Sequence, residues 1–144
     1  QEFTKGTFIY NASSTVFKKE VCADIDFEKL KTFKYAGDWY FWTNLTSVGT
    51  VVRTPERLNN FRRHANNVSF KAEREGLKYA EGLQIVADLI DKIDFGFVSK
   101  QKIIAYWALK LFNDKVEQKS KMLPILSPYL GFWYRLAPLL NLLK

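Results

Sequence analysis

The clearest periodic pattern in the chain lies between residues 70 and 93, where apolar residues recur at spacings of three and four with charged residues between them. The apolar positions are Leu77, Ala80, Leu83, Val86, Ala87, Ile90 and Ile93. This spacing predicts one amphipathic helix over residues 70–93, with Ser69 as its N-cap. After a break at Gly96 and Ser99, a similar pattern predicts a second helix. Its apolar positions are Ile103, Ile104, Trp107, Ala108, Leu111 and Phe112.

The N-terminal third has a different pattern. Residues 7–17 read as two extended pieces around a polar centre, and residues 50–62 as two short extended stretches divided by Pro55. Residues 24–33 fit a short helix or turn that Asp24 or Asp26 caps, and residues 38–48 fit a helix that ends near Gly49. The pattern therefore predicts a mainly helical α+β fold, with short β-strands in the N-terminal third and helices in the remainder.

Composition places the chain among globular proteins. Its 144 residues are 47% hydrophobic and 16% aromatic, and a single cysteine, Cys22, rules out an intrachain disulfide framework. The formal net charge of +7 favours an anionic partner, which could be a nucleotide diphosphate, a nucleic acid or an acidic membrane surface. No apolar run approaches the roughly 18 residues of a membrane span.

The segment Asn11-Ala12-Ser13-Ser14 places small and polar residues between two apolar stretches. Its amide and hydroxyl groups could contact a ligand. A turn between two strands explains the same residues, and taken alone the turn is the better interpretation.

The segment Gly37-Asp38-Trp39-Tyr40-Phe41-Trp42 places one carboxylate at the predicted start of a helix, followed by four aromatic residues. A carboxylate in such a position could accept a proton from a substrate hydroxyl. Aspartate is also among the best N-cap residues, and aromatic residues usually fill a core. Local physics alone favours the cap.

The segment Phe61-Arg62-Arg63-His64 is strongly basic. The guanidinium groups of Arg62 and Arg63 could hold diphosphate oxygens, and His64 could ligate a divalent metal or contact a phosphate. No carboxylate or cysteine lies nearby at metal-ligand spacing, so a zinc site within the segment is not expected. A solvated basic loop is the usual form of such a run.

Taken together and in this order, the three segments are more specific. The succession NASSTVFKKE, FKYAGDWYFW and LNNFRRHANNVS resembles the acceptor half of bacterial family 2 glycosyltransferases, which have the GT-A fold. The resemblance covers roughly residues 7 to 93. It implies an incomplete half of a GT-A α/β fold: residues 1–95 form the acceptor-side part, and residues 96–144 are a C-terminal helical extension.

The resemblance also implies roles for particular residues. Asp38 takes the position of the catalytic base, although Gly37 stands where many members have a second acidic residue. Arg62 and Arg63 match basic residues near the leaving diphosphate, and His64 matches a histidine that approaches the metal. Three further residues, Asn11, Ser13 and Ser14, lie near the acceptor or sugar, and Trp39 belongs to the same substrate-binding set.

The donor half of such an enzyme carries an Asp-x-Asp metal motif, and no suitable copy occurs here; Asp24-Ile25-Asp26 has the spacing but reads as helix capping. We therefore expect a C-terminal fragment that is inactive alone, lacks its N-terminal half, exposes apolar surface and self-associates. The full-length enzyme would be cytoplasmic and use Mg²⁺ or Mn²⁺, with none expected bound to the fragment. Its substrates would be a nucleotide-diphosphate sugar and a saccharide or lipid-linked acceptor, as in cell-surface polysaccharide synthesis.

Two alternatives remain open. Basic residues interleaved with aromatic ones also describe modules that bind nucleic acid or an anionic membrane surface, although no nucleic-acid-binding motif is present. Residues 127–144, which begin with the helix-starting pair Ser127-Pro128, could lie on the inner face of a membrane as an interfacial helix or pack on the body of the domain.

Overall fold

The computed structural model describes residues 4–6, 9, 11–56, 58–60, 76–113, 130–133 and 135–138. These residues include four α-helices: α1 (Phe27–Thr32), α2 (Gly37–Ser47), α3 (Leu77–Lys92) and α4 (Gly96–Asn113). Two short 3-10 helices, Ala12–Ser14 and Lys19–Cys22, precede α1. Residues 130–133 and 135–138 are also helical.

The prediction of an α+β fold with short β-strands in the N-terminal third is wrong, because no β-strand occurs in the described part of the chain. Asn11 and Thr15 do have extended backbone, but the 3-10 helix between them interrupts the run. A strand also needs a neighbour that pairs with its backbone groups. The described residues of the segments 15–18 and 50–60 provide none for each other.

The helix predictions are largely confirmed. Asp26 caps α1 by accepting a hydrogen bond of 2.9 Å from the Lys29 backbone N–H, and α2 occupies nearly all of the range predicted for it. The predicted helix 70–93 is wrong at its start. Gly76 has a φ of +75°, which a right-handed helix cannot contain, and α3 begins only after it. The predicted cap, Ser69, lies outside the described residues.

The core is built around two tryptophans. The rings of Trp39 on α2 and Trp107 on α4 are stacked, and Tyr79 meets Trp107 edge-on. Trp107 also donates a hydrogen bond of 2.6 Å to the Thr4 carbonyl, which ties the N-terminal residues to α4. Residues on both sides of the proposed boundary at 95 therefore contribute to one hydrophobic core.

An ion pair joins α1 to α3. The Lys29 ammonium lies 2.5 Å from the Asp88 carboxylate. Burial opposes the charged form of Lys29, but the hydrogen bond and charge of Asp88 outweigh it, so the pKa of Lys29 is raised. For Tyr40, in contrast, burial raises the pKa, against the opposing effect of the nearby Lys29 charge.

Candidate functional site

A buried glutamate on α3 holds the segment that leads into α2. The side chain of Glu81 is only 9% exposed. Its Oε1 accepts from the Lys34 backbone N–H at 2.9 Å, and its Oε2 accepts from those of Tyr35 at 2.9 Å and Ala36 at 2.7 Å. Three backbone donors thus converge on one carboxylate, which satisfies a charge that could not otherwise be buried.

Asp38 lies in the first turn of α2, and its side chain is exposed. The residue at the N-cap position is Ala36, so Asp38 is not the N-cap that local sequence favoured. Asp38 Oδ1 accepts a 2.7 Å hydrogen bond from the Trp39 backbone N–H. Within the described residues, Oδ2 has no hydrogen-bonding partner and the carboxylate pairs with no cation. One oxygen therefore stabilises the helix turn, and the other faces solvent.

The aromatic residues after Asp38 belong to the core or pack against it. Trp39 is 4% exposed and stacks on Trp107, so its ring lies in the core rather than at a surface where a sugar could bind. Phe41 and Trp42 stand three and four residues after Asp38, which places them on the same side of α2. Phe17 meets both rings edge-on, with centroid distances of 5.7 and 5.8 Å.

The Asn11–Ser14 segment is a turn, and its side chains join a residue far away in sequence. Asn11 Oδ1 accepts from the backbone N–H and the hydroxyl of Ser13, and the Ser14 hydroxyl donates to the Asn11 carbonyl. Asn11 Nδ2 donates to Asn59 Oδ1 at 3.1 Å, and Asn59 Nδ2 donates to the Ser13 hydroxyl at 3.0 Å. We call Asn11, Ser13 and Asn59 the polar ring. The structure thereby brings the first segment of the resemblance against the residues that lead into the third.

The basic residues of that third segment, Arg62, Arg63 and His64, lie outside the described residues. In the described part of the chain, no three His, Cys, Asp or Glu side chains are grouped so that they could hold a metal ion. We derive no step through a metal.

A surface cleft of about 240 Å³ lies at the opposite end of α2 from Asp38. Asp24, Asn44 and Ser47 contribute to its wall, as does Lys92, whose ammonium donates a 2.7 Å hydrogen bond to Asn44 Oδ1. Because Asn44 and Ser47 follow Asp38 by six and nine residues, a helix rise of about 1.5 Å per residue separates the cleft from Asp38 by roughly 10 Å. The cleft is not part of the Asp38 site.

The described part of residues 127–144 packs on the domain. Leu130 and Ala137 are buried, and Trp133 Nε1 donates a 2.6 Å hydrogen bond to Gln101 on α4. Phe132 is exposed. These contacts favour a helix packed on the body over one whose apolar face is free for a membrane. None of the described helices is both long and apolar enough to cross a membrane.

Sequence reasoning missed Glu81 and Asn59. A signal for Glu81 was present: Leu77 and Ile85 stand four residues before and four after it, and residues at that spacing share a helix face. A carboxylate at such a position needs strong hydrogen-bond donors, but pattern alone does not say which. For Asn59, the only signal was the pair Asn59-Asn60 immediately before the basic segment.

Comparisons with known proteins leave the family of the chain open. No protein-family model, no curated protein and no solved structure matches it.

Proposed function

We propose that this chain is the acceptor-side part of a cytoplasmic family 2 glycosyltransferase that, in its full-length form, moves a sugar from a nucleotide-diphosphate sugar to an acceptor hydroxyl with inversion. The proposal rests on the motif resemblance and on the geometry of Asp38. The proposed full-length enzyme also includes an N-terminal half that binds the nucleotide sugar, and it uses a divalent metal and an acceptor.

The free oxygen of Asp38 is the observation that carries it. An aspartate at the N-cap position would be explained by its capping bond alone. Here the segment before α2 is held by Glu81, and Asp38 binds only one amide. An exposed carboxylate oxygen in a turn anchored by the core can meet an acceptor hydroxyl from solvent.

In this mechanism, Asp38 Oδ2 takes the proton of the acceptor hydroxyl as that oxygen forms its bond to the anomeric carbon. The bond from the anomeric carbon to the nucleoside diphosphate breaks on the opposite face, and the diphosphate leaves with the electron pair. The anomeric configuration is inverted by this single displacement.

The polar ring supports a role in substrate contact. Asn11, Ser13 and Asn59 are held to one another by side-chain hydrogen bonds, and the ring is at the surface. Amide and hydroxyl groups ordered in this way suit the hydroxyls of a sugar or acceptor. The chain then continues directly from Asn59 into the segment with Arg62 and Arg63, which we propose binds the diphosphate.

The test uses the full-length protein and measures nucleoside diphosphate release from a panel of UDP-, GDP- and dTDP-sugars with saccharide and lipid-linked acceptors. We expect Asp38→Asn to lower kcat by two orders of magnitude or more, within the roughly 10²–10⁴-fold typical of a general base, and to leave the donor Kd unchanged. The control is Asp91→Asn, which neutralises an exposed carboxylate on α3.

Near-normal turnover by Asp38→Asn would remove Asp38 from this role. If the chain instead binds random oligonucleotides tightly, with a steep dependence on salt, the basic binding module is the correct interpretation.

A further inference from the structure

We infer that Glu81 is the positioning residue for Asp38, the proposed base. Glu81 acts through the backbone of residues 34–36, which it binds and which leads directly to Asp38. This inference rests on the proposed function, because it concerns how the same carboxylate is held. It assigns a role to a helix that the resemblance connects with no chemistry, and to a residue 43 positions after Asp38.

Glu81 binds three consecutive backbone amides. Its two oxygens bind the backbone N–H groups of Lys34, Tyr35 and Ala36. A carboxylate that accepts from three successive amides constrains both the position and the orientation of each peptide plane. The segment 34–36 therefore has little freedom to rotate relative to α3.

The segment 34–36 is continuous with the first turn of α2, which carries Asp38. Ala36 is the N-cap of α2, and its carbonyl accepts the 2.9 Å hydrogen bond from the Tyr40 N–H that closes the first turn. Asp38 lies inside that turn. Any rotation of the peptide planes at 34–36 is thus transmitted to Asp38 across two covalent links.

The N-terminus of α2 has no side-chain cap from its own N-cap residue. The N-cap residue, Ala36, makes no side-chain capping bond. A negative charge near a helix N-terminus stabilises it through the helix dipole, and Glu81 supplies this charge from another helix. Asp38 is thereby relieved of the capping role, and one of its oxygens stays free.

The anchor of Glu81 is itself rigid. Glu81 lies next to Gly82, against which the stacked rings of Trp39 and Trp107 pack closely. Trp39 directly follows Asp38, so α2 and α3 are joined on both sides of the base: by Glu81 before it and by Trp39 after it. A base held from two sides keeps its geometry without support from the substrate.

The test is a double-mutant cycle in the full-length protein, with the donor that is turned over in the panel above. Glu81→Gln keeps the shape of the side chain but turns an N–H₂ group toward a backbone donor. We expect kcat to fall roughly 10- to 100-fold, the size of effect that misplacement of a reacting group produces, with the donor KM unchanged. Because Glu81 acts through Asp38, the double variant with Asp38→Asn should be no slower than Asp38→Asn alone.

A second measurement separates positioning from loss of stability. Amide hydrogen exchange should speed up at Lys34, Tyr35 and Ala36 in Glu81→Gln. As a control for stability, Leu130→Ala removes a buried side chain outside α2 and α3, and should lower the melting temperature without changing exchange at these three amides. Glu81→Asp keeps the charge with a shorter reach and should give a kcat between those of wild type and Glu81→Gln, so the idea stays testable if the glutamine variant does not fold.

Three results would overturn the inference. The first is wild-type kcat in Glu81→Gln or Glu81→Asp despite faster exchange at residues 34–36. The second is a double variant whose kcat lies below that of Asp38→Asn by the same factor by which Glu81→Gln alone lowers the wild-type kcat. Glu81 would then act independently of Asp38, while Asp38 would remain the proposed base. The third is near-normal turnover by Asp38→Asn, or a wild-type protein that turns over no donor; either result contradicts the proposed function itself.

Discussion

The indole rings of Trp39 and Trp107 stack with 5.7 Å between their centroids and 16° between their planes, and Gly82 on α3 is the residue that lets them do so. A Cβ atom at position 82 would lie 2.7 Å from Trp39 and 2.9 Å from Trp107. Both rings are buried, so neither can move aside into solvent. The contact among α2, α3 and α4 at this point therefore depends on glycine, which has no side chain, at position 82.

We accordingly expect Gly82→Ala to lower the free energy of unfolding by roughly 1–2 kcal/mol, because overpacking outweighs the gain of about 1 kcal/mol in helix propensity. The measurement is urea denaturation followed by tryptophan fluorescence. Gly49→Ala is the matched control, since a Cβ there meets nothing within 4 Å, and its effect should stay within about 0.5 kcal/mol. Equal stability of the two variants would show that the rings can adjust.

Thr43 on α2 places a hydroxyl group in the core. Its hydroxyl is buried and has no hydrogen-bond partner among the residues that the structure describes. Removing a buried, unsatisfied polar group while keeping the shape of the side chain should stabilise the fold, so we expect Thr43→Val to raise the free energy of unfolding by about 1 kcal/mol. Thermal denaturation provides the measurement.

The control for Thr43 is Thr46→Val, the same substitution one turn further along α2. The Thr46 hydroxyl donates to the carbonyls of Trp42, at 2.7 Å, and Thr43, at 3.1 Å. Its loss should destabilise the fold or leave it unchanged. If both variants were destabilised equally, the buried hydroxyl of Thr43 would have to be satisfied in solution.

The raised pKa values of Lys29 and Tyr40 predict a loss of stability at alkaline pH. Each group holds its proton to higher pH in the folded state than in the unfolded state. The resulting stabilisation is complete below the unfolded-state pKa and disappears as pH rises through the folded-state pKa. We expect the free energy of unfolding to fall as pH rises above about 10.

Substitution separates the two contributions. Tyr40→Phe should flatten the alkaline decline in urea denaturation measured between neutral pH and pH values above about 10, because Lys29 is then the remaining one of the two groups with a raised pKa. Leu111→Ala is the control: it removes a buried side chain of α4, so it should lower stability at every pH without changing the slope. A Tyr40→Phe protein with the wild-type slope would contradict the assignment.

Self-association is expected from two exposed segments. Val16 is 100% exposed and Val52 is 89% exposed. Within the described residues, the backbone groups of Val16, Val51 and Val52 make no hydrogen bond. Unpaired backbone beside exposed β-branched side chains is a template for pairing with another chain.

We expect analytical ultracentrifugation to detect dimers or larger species as concentration rises, and Val52→Lys to weaken the association roughly tenfold, since a lysine at an open edge opposes pairing. Val98→Lys adds the same charge at an exposed position of α4, where the backbone is helical, and should have no such effect. A monomer at high concentration would contradict the expectation.

Local sequence determined where the helices of this protein form. It also determined those helix ends that are stabilised by residues close by in the sequence. The i, i+3 and i, i+4 spacing of apolar residues indicates α3 and α4, and the carboxylate of Asp26 caps α1 three residues later in the chain. The position of Asp38 at the start of α2 could likewise be predicted. These features depend on interactions within about one helical turn, which the order of residues specifies directly.

Only the tertiary structure decided the absence of strands in the described residues and the roles of Glu81 and Asn59. The residues near Thr15 and Val52 match strand propensities, but a strand exists only where another segment pairs with it. Glu81 binds amides that precede it by 45 to 47 residues, and Asn59 binds a turn 46 and 48 residues earlier. Hydrogen bonds over such separations depend on how the helices pack, and no local pattern of residues encodes which groups that packing brings together.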